Sequence, residues 1–90
     1  MKKQVVLRIY GRVLGVFFRD SCKEKARELN LSGWVRNEPD DTVQIVAEGE
    51  EEDLKKLIEW CRNGPDHARV GKVDVKWLDA NGRFDNFIVK

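Results

Sequence analysis

Val5-Val6-Leu7-Arg8-Ile9-Tyr10-Gly11-Arg12-Val13-Leu14-Gly15-Val16-Phe17-Phe18-Arg19-Asp20-Ser21-Cys22 is the stretch on which the fold turns. Its first six residues place Val5, Leu7 and Ile9 on one side and Val6, Arg8 and Tyr10 on the other, the two-residue period of a strand. Gly11 and Gly15 interrupt that pattern. From Phe18 the apolar spacing becomes three to four residues, through Cys22, Ala26 and Leu29, which is one stripe of a helix. Ser21 and Glu24 have capping-box spacing near its start. Asn30 suits the left-handed position after its end, with Leu31 folding back on the last turn. The segment is therefore a strand, a glycine-bounded turn and a helix.

Two further strands follow. One runs from Gly33 to Asn37, and the other alternates Val43, Ile45 and Ala47 with Gln44, Val46 and Glu48. Pro39-Asp40-Asp41 between them is turn chemistry, so the pair reads as a hairpin. Glu50 to Asp53 put four carboxylates on the first turn of a second helix, where the helix dipole favours them. Glu51–Lys55 and Glu52–Lys56 are favourable i,i+4 pairs. Leu54, Leu57, Ile58 and Cys61 form the buried stripe of that helix, and Arg62, Gly64 and Pro65 end it. Val70 to Leu78 alternates again, Asn81-Gly82 signals a turn, and Phe84 to Val89 makes a short last strand. The order is βαββαβ plus a terminal strand. That order fits an α+β fold, the ferredoxin-like sandwich: one antiparallel sheet with two helices on one face.

The 90 residues give one domain, residues 1–90, with 17 basic and 16 acidic side chains and a net charge of +1. A protein that tracks nucleic acid carries a clear basic excess, so no nucleic-acid partner is expected and any anion site is local. No apolar run is long enough to span a bilayer, and the N-terminus lacks the apolar core of a secretory signal; no membrane association and a cytoplasmic location are the expectations. Cys22, Cys61 and the single His67 are too few for a structural zinc cage. Metals and cofactors are therefore not expected. His67 reads as a solvated loop side chain. Trp34, Trp60 and Trp77 read as packing groups.

The turn from Gly11 to Arg19 is the candidate site. A tight turn before a helix N-terminus aims backbone N–H groups in one direction and binds a tetrahedral anion. Arg19 in the first helical turn can close over that anion with two parallel hydrogen bonds. It is not a Walker A loop, because no Gly-Lys-Ser/Thr follows. On this segment alone, an ordinary turn with a surface arginine remains open.

Gly33-Trp34-Val35-Arg36-Asn37 changes the weighing. With Gly11-Arg12-Val13-Leu14-Gly15-Val16-Phe17-Phe18-Arg19, it resembles the two signatures of the acylphosphatase family. The first resembles Gly-x-Val-Gln-Gly-Val-x-Phe-Arg, and the second Gly-aromatic-Val-basic-Asn. The resemblance spans the whole chain, including Glu48-Gly49 and Gly64-Pro65-Asp66-His67-Ala68-Arg69-Val70. It departs at Leu14, where the family usually has Gln, and at Asp41, where it usually has Gly. The resemblance implies metal-independent hydrolysis of acyl phosphates to a carboxylate and inorganic phosphate by a monomer. Arg19 and Asn37 would be catalytic. Leu14, Gly15, Val16, Phe17, Phe18 and Arg19 would bind the phosphoryl group, with inorganic phosphate as product and inhibitor. Phe17 and Phe18 are expected to pack under the loop, with Phe17 able to border the acyl group.

In a cytoplasmic protein Cys22 and Cys61 are by default two buried free thiols. Antiparallel helices bring them to one level, so a disulfide is geometrically open. A second functional class is a non-catalytic module binding a carbamoyl-phosphate-like anion, resembling the acylphosphatase-type domain of hydrogenase maturation proteins, or a protein partner. The presence of both Arg19 and Asn37 favours the enzyme, since anion binding alone needs no water-orienting asparagine.

Overall fold

The computed structural model describes residues 1–90. The chain runs β1 (Lys2–Arg12), α1 (Phe18–Glu28), β2 (Ser32–Asn37), β3 (Val43–Glu50), α2 (Glu51–Asn63), β4 (Arg69–Asp79) and β5 (Phe87–Val89). The sheet order is β4-β1-β3-β2-β5. β1 pairs antiparallel with β3 and β4, and β2 pairs antiparallel with β3. The last strand departs from the all-antiparallel expectation: β5 lies parallel to β2, so the sheet is mixed.

Both helices cover one face, α1 over β2 and β5, α2 over β1, β3 and β4. The alternation in β1 is followed literally, with Val5, Leu7 and Ile9 fully buried beneath them. Phe18, Cys22 and Ala26 of α1 and Leu54, Leu57, Ile58 and Cys61 of α2 complete the core with Val35, Val43, Ile45 and Phe87. The ring of Phe18 meets Trp60 of α2 with centroids 5.4 Å apart. Trp34 sits between Arg36 and Lys90, whose charged groups lie 4.6 and 4.8 Å from its ring centroid. Its faces are thus occupied by cations. No helix is long and apolar enough to cross a membrane.

The end of α1 follows the expected chemistry. Asn30 is left-handed, with φ 59°. The N–H of Leu31 donates to Ala26 and that of Asn30 to Arg27, the paired bonds of a Schellman motif. Leu31 is buried, so the motif is locked by packing. The expected capping box at the other end is absent. The N-cap is Phe17, left-handed and without a side-chain cap. At α2, Glu50 is the N-cap and ends β3, so the helix begins at Glu51, one residue later than read from sequence. Glu51–Lys55 pairs at 3.3 Å. Glu52 and Lys56 form no such pair.

The β2–β3 turn holds Asp41 at φ 67°, a conformation that favours glycine. Asp40 ties the turn together: it accepts from the N–H and hydroxyl of Thr42 and pairs with Arg8 at 3.0 Å. Asp41→Gly should therefore stabilise the protein modestly, by about 0.5 kcal/mol, because glycine's greater unfolded-state freedom offsets part of the relieved strain. Urea or thermal unfolding of both proteins checks this; a lower midpoint for the variant refutes it.

Asn81-Gly82 does not make a β4–β5 hairpin, because β4 and β5 occupy opposite edges of the sheet. Burial of Phe87 beneath α1, whose Arg27 Nε donates to the Phe87 carbonyl, draws the last segment to the β2 edge. The connection is anchored at Glu48 of β3. Its carboxylate accepts from the N–H groups of Asn81 and Gly82, at 2.8 and 3.1 Å, and from the Gln4 amide at 2.6 Å. Burial pushes the Glu48 carboxyl upward, but the bonds from Asn81, Gln4 and Gly82 together hold it below its usual value. A depressed folded-state value means this stability is present above the ordinary carboxylate range and is lost as pH falls through the folded value. Glu48→Ala should cost about 2–4 kcal/mol, since two backbone donors and one amide lose their acceptor. The variant's stability should also fall less on acidification than the native protein's. Chemical denaturation at neutral and acid pH measures both. Equal acid sensitivity of the two proteins would count against this anchor.

Cys22 and Cys61 lie side by side between the helices as free, fully buried thiols, and the bridge left open above is not formed. Burial first, and then the adjoining Cys61 thiol, push the Cys22 thiol well above its usual range. It therefore stays protonated, and a thiol without thiolate character is a poor nucleophile for forming a bridge.

Candidate active site

The C-terminal ends of β1 and β2 open at the same end of the sheet, separated by the start of β3. The turn after β1 and the last residue of β2 meet there. A pocket of about 240 Å³ is lined by Val13, Gly15, Phe17, Phe18, Arg19, Asp20 and Asn37. Arg19 and Asn37, 18 positions apart in sequence, share this one cavity.

The conformation of the turn is set by left-handed residues. Gly15 has φ 68° and Phe17 φ 59°. At Gly15 an added side chain would meet nothing, so the requirement for glycine there is conformational and not steric. Phe17 has no such excuse. A bulky residue held left-handed is a strained position of the kind that clusters at functional sites. Left-handed Phe17 followed by helical Phe18 is the backbone alternation from which anion-binding nests are built.

The N–H groups from Leu14 to Phe17 have no acceptor within the protein. The first helical bond of α1 is from Ser21 to the Phe17 carbonyl, at 3.0 Å. Phe18, Arg19 and Asp20 therefore also contribute N–H groups that no preceding turn can satisfy. This unpaired run lies at the positive end of α1. Arg19 forms no ion pair with the protein, and the Asn37 amide no hydrogen bond. Both side chains are exposed and free to bind from solvent.

The turn after Asn37 is braced against movement. Arg36 Nε pairs with Glu38 at 2.6 Å, and Arg8 lies 3.6 Å from the same carboxylate. The N–H of Glu38 donates to the Thr42 carbonyl at 2.8 Å, closing the hairpin immediately after Asn37. Asn37 is fixed at a rigid strand end.

The structure redistributes the side chains of the turn. Phe18 is buried as expected, but Phe17 is 77 % exposed and forms part of the pocket wall, not a prop under the loop. Leu14 and Val16 pack against the core and take no part in the wall. Their N–H groups remain available. Leu14 thus faces inward, where an apolar side chain is the better fit. Val13 and Asp20 line the pocket without having been singled out in the sequence. Val13 was legible only as the continuation of β1's alternation, and Asp20 only as an acid in a first helical turn. His67 is an exposed loop residue outside the pocket. No group of three His, Cys, Asp or Glu side chains is placed to hold a metal ion.

The arrangement can hold a tetrahedral anion by backbone N–H groups and one guanidinium, with an amide facing it. The family model of the acylphosphatases matches residues 5–89. The chain is 48% identical to an acylphosphatase of Methylococcus capsulatus over 87 residues, covering 97% of this chain and 95% of that protein. Its fold superposes on the crystal structure of an acylphosphatase from Bacillus subtilis with a TM-score of 0.94 and 32% identity, covering 100% of this chain and 99% of that one. It is also similar to part of HypF from T. kodakarensis, with a TM-score of 0.84 and 35% identity, over 98% of this chain and 12% of that one.

Proposed function

Because this chain belongs to the acylphosphatase family and hydrolyses acyl phosphates to a carboxylate and inorganic phosphate, we propose that its phosphoryl site is the turn from Leu14 to Arg19, with Asn37 directing the attacking water. The phosphoryl oxygens accept from the backbone N–H groups of the turn. Arg19 adds a planar fork that matches two of those oxygens at once. The observation that carries this reading is that Arg19 and Asn37 line one pocket with Gly15, Phe17 and Phe18 of a turn whose N–H groups have no acceptor in the protein.

The chemistry asks little of acids and bases. Phosphoryl transfer depends on positioning and on stabilising the charge spread over the phosphoryl oxygens. The leaving group of an acyl phosphate is a carboxylate, stable as an anion, so no general acid is required. Water attacks phosphorus while the Asn37 side chain, which both donates and accepts, holds it in line. Its proton passes to a phosphoryl oxygen of the substrate, so no protein base is needed. The P–O bond to the carboxylate breaks, and inorganic phosphate remains in the nest, where it competes with fresh substrate.

The test is hydrolysis of benzoyl phosphate by the purified protein, with and without EDTA. Turnover should be unchanged by the chelator, and p-nitrophenyl phosphate, with its poorer leaving group, should be hydrolysed weakly at best. Loss of activity on chelation, restored by a divalent ion, would overturn the proposed mechanism.

A further inference from the structure

The two edges of the sheet are unequal. At one lies β5, three residues long. At the other lies β4, 11 residues long, without proline and paired on one side only, with β1. Its single register irregularity falls near its start, opposite Tyr10 and Gly11, so residues 72–79 run regularly. The N–H and C=O groups on its outer side bond to nothing in the chain. A long, regular edge of this kind is a template for another strand.

The side chains of this edge are also incompletely covered. Val73, Val75 and Trp77 stand opposite Ile9, Leu7 and Val5 and so share the helix-covered face. They lie at its margin: Val73 and Val75 are half-buried, and Trp77 is 41 % exposed. Trp77 borders an open groove of about 380 Å³ with Glu51 and Lys55 of α2. On the other face Lys72, Asp74 and Lys76 alternate in sign. Asp74 accepts from the Tyr10 hydroxyl and lies 3.5 Å from Lys72, whereas Lys76 has no ion pair. A row of one sign would repel a second copy of the strand; alternating signs can match it.

Symmetry then selects the register. An antiparallel strand meets its own copy about a two-fold axis. That axis passes through a residue, because a slip of one would set the two helical layers on opposite faces. About Asp74, it sets Asp74 against itself and Lys72 against Lys76. About Val73, it sets Trp77 against Arg69. About Val75, it sets Asp74 against Lys76 twice, Val73 against Trp77 twice, and Val75 against itself. Only this last register matches both the charged row and the apolar row.

We propose that β4 is a self-association surface, through which two copies of this chain pair antiparallel about Val75. The two five-stranded sheets join into one, with the helices of both copies on the same face. Val73 of the second copy comes opposite Trp77, beside the groove at α2, and removes its exposed apolar surface from water. The seam is one strand long, smaller than a permanent interface, so association is reversible and depends on concentration. The chain is a monomer when dilute. The three-residue β5 edge offers no equal seam, so assembly stops at two. None of these residues lines the pocket of Arg19 and Asn37.

Sedimentation equilibrium from about 10 µM to about 1 mM protein tests the surface. The native mass should rise from one chain toward two. Lys76→Asp places like charges across the seam, as does Asp74→Lys, and each should weaken association about tenfold or more. An equimolar mixture of the two variants restores opposite charges at both positions and should associate as the native protein does. Far-UV circular dichroism of each variant should stay native. Should Asp74→Lys fail to fold, Lys76→Asp alone decides, since Lys76 has no ion pair to lose. Native protein that stays a single chain at the highest concentration overturns the surface, and so does a mass that grows beyond two chains. Dimers unweakened by Lys76→Asp, or folded variants whose mixture does not associate, overturn the pairing about Val75.

Discussion

Arg19→Ala should lose acyl phosphate turnover by about 10³-fold or more, the range seen when a guanidinium that stabilises a transferring phosphoryl group is removed. The side chain is exposed, lines the pocket and forms no ion pair with the protein. Its removal should therefore leave the far-UV circular dichroism and unfolding midpoint nearly unchanged. Arg19 meets the phosphoryl group in the ground state as well as the transition state. Inhibition by inorganic phosphate should accordingly weaken in parallel, by about tenfold or more. Arg19→Lys should recover little, because a point charge cannot reproduce two parallel hydrogen bonds. A variant with normal phosphate inhibition and normal kcat would remove Arg19 from the site.

Asn37→Ala should behave differently. Its amide acts on the water, so kcat should fall by about 10²-fold or more while phosphate inhibition stays close to native. An interaction made mainly in the transition state has this signature. Asn37 is exposed at the end of β2, and the turn beyond it is held by Glu38, Asp40 and Thr42, so the variant should fold normally. Near-native kcat in Asn37→Ala would refute the water-directing role. Parallel losses in kcat and phosphate affinity would place Asn37 on the phosphoryl group instead.

The sequence by itself determined the element order, the two helical stripes and the buried face of β1. These are local or periodic properties: Val5, Leu7 and Ile9 can share a face only in a strand, and Phe18, Cys22 and Ala26 only on a helix. It also singled out Arg19 and Asn37, through the resemblance of two glycine-punctuated segments to the signatures of the family. Left-handed Asn30 was readable because a short polar side chain tolerates that conformation better than most, and Asp41, also left-handed, stands where the family usually has Gly. Only the tertiary structure decided matters that depend on distant partners. Asn81-Gly82 has the chemistry of a hairpin turn, but burial of Phe87 under α1 carries β5 to the far edge, parallel to β2. Glu48, an unremarkable polar position in an alternating strand, becomes the anchor of that crossing because Asn81 and Gly82 arrive beside it. Phe17 and Phe18 are chemically identical neighbours. One is buried and one forms the pocket wall, because a left-handed N-cap turns the chain between them, and that conformation is imposed by the strand and helix it must join.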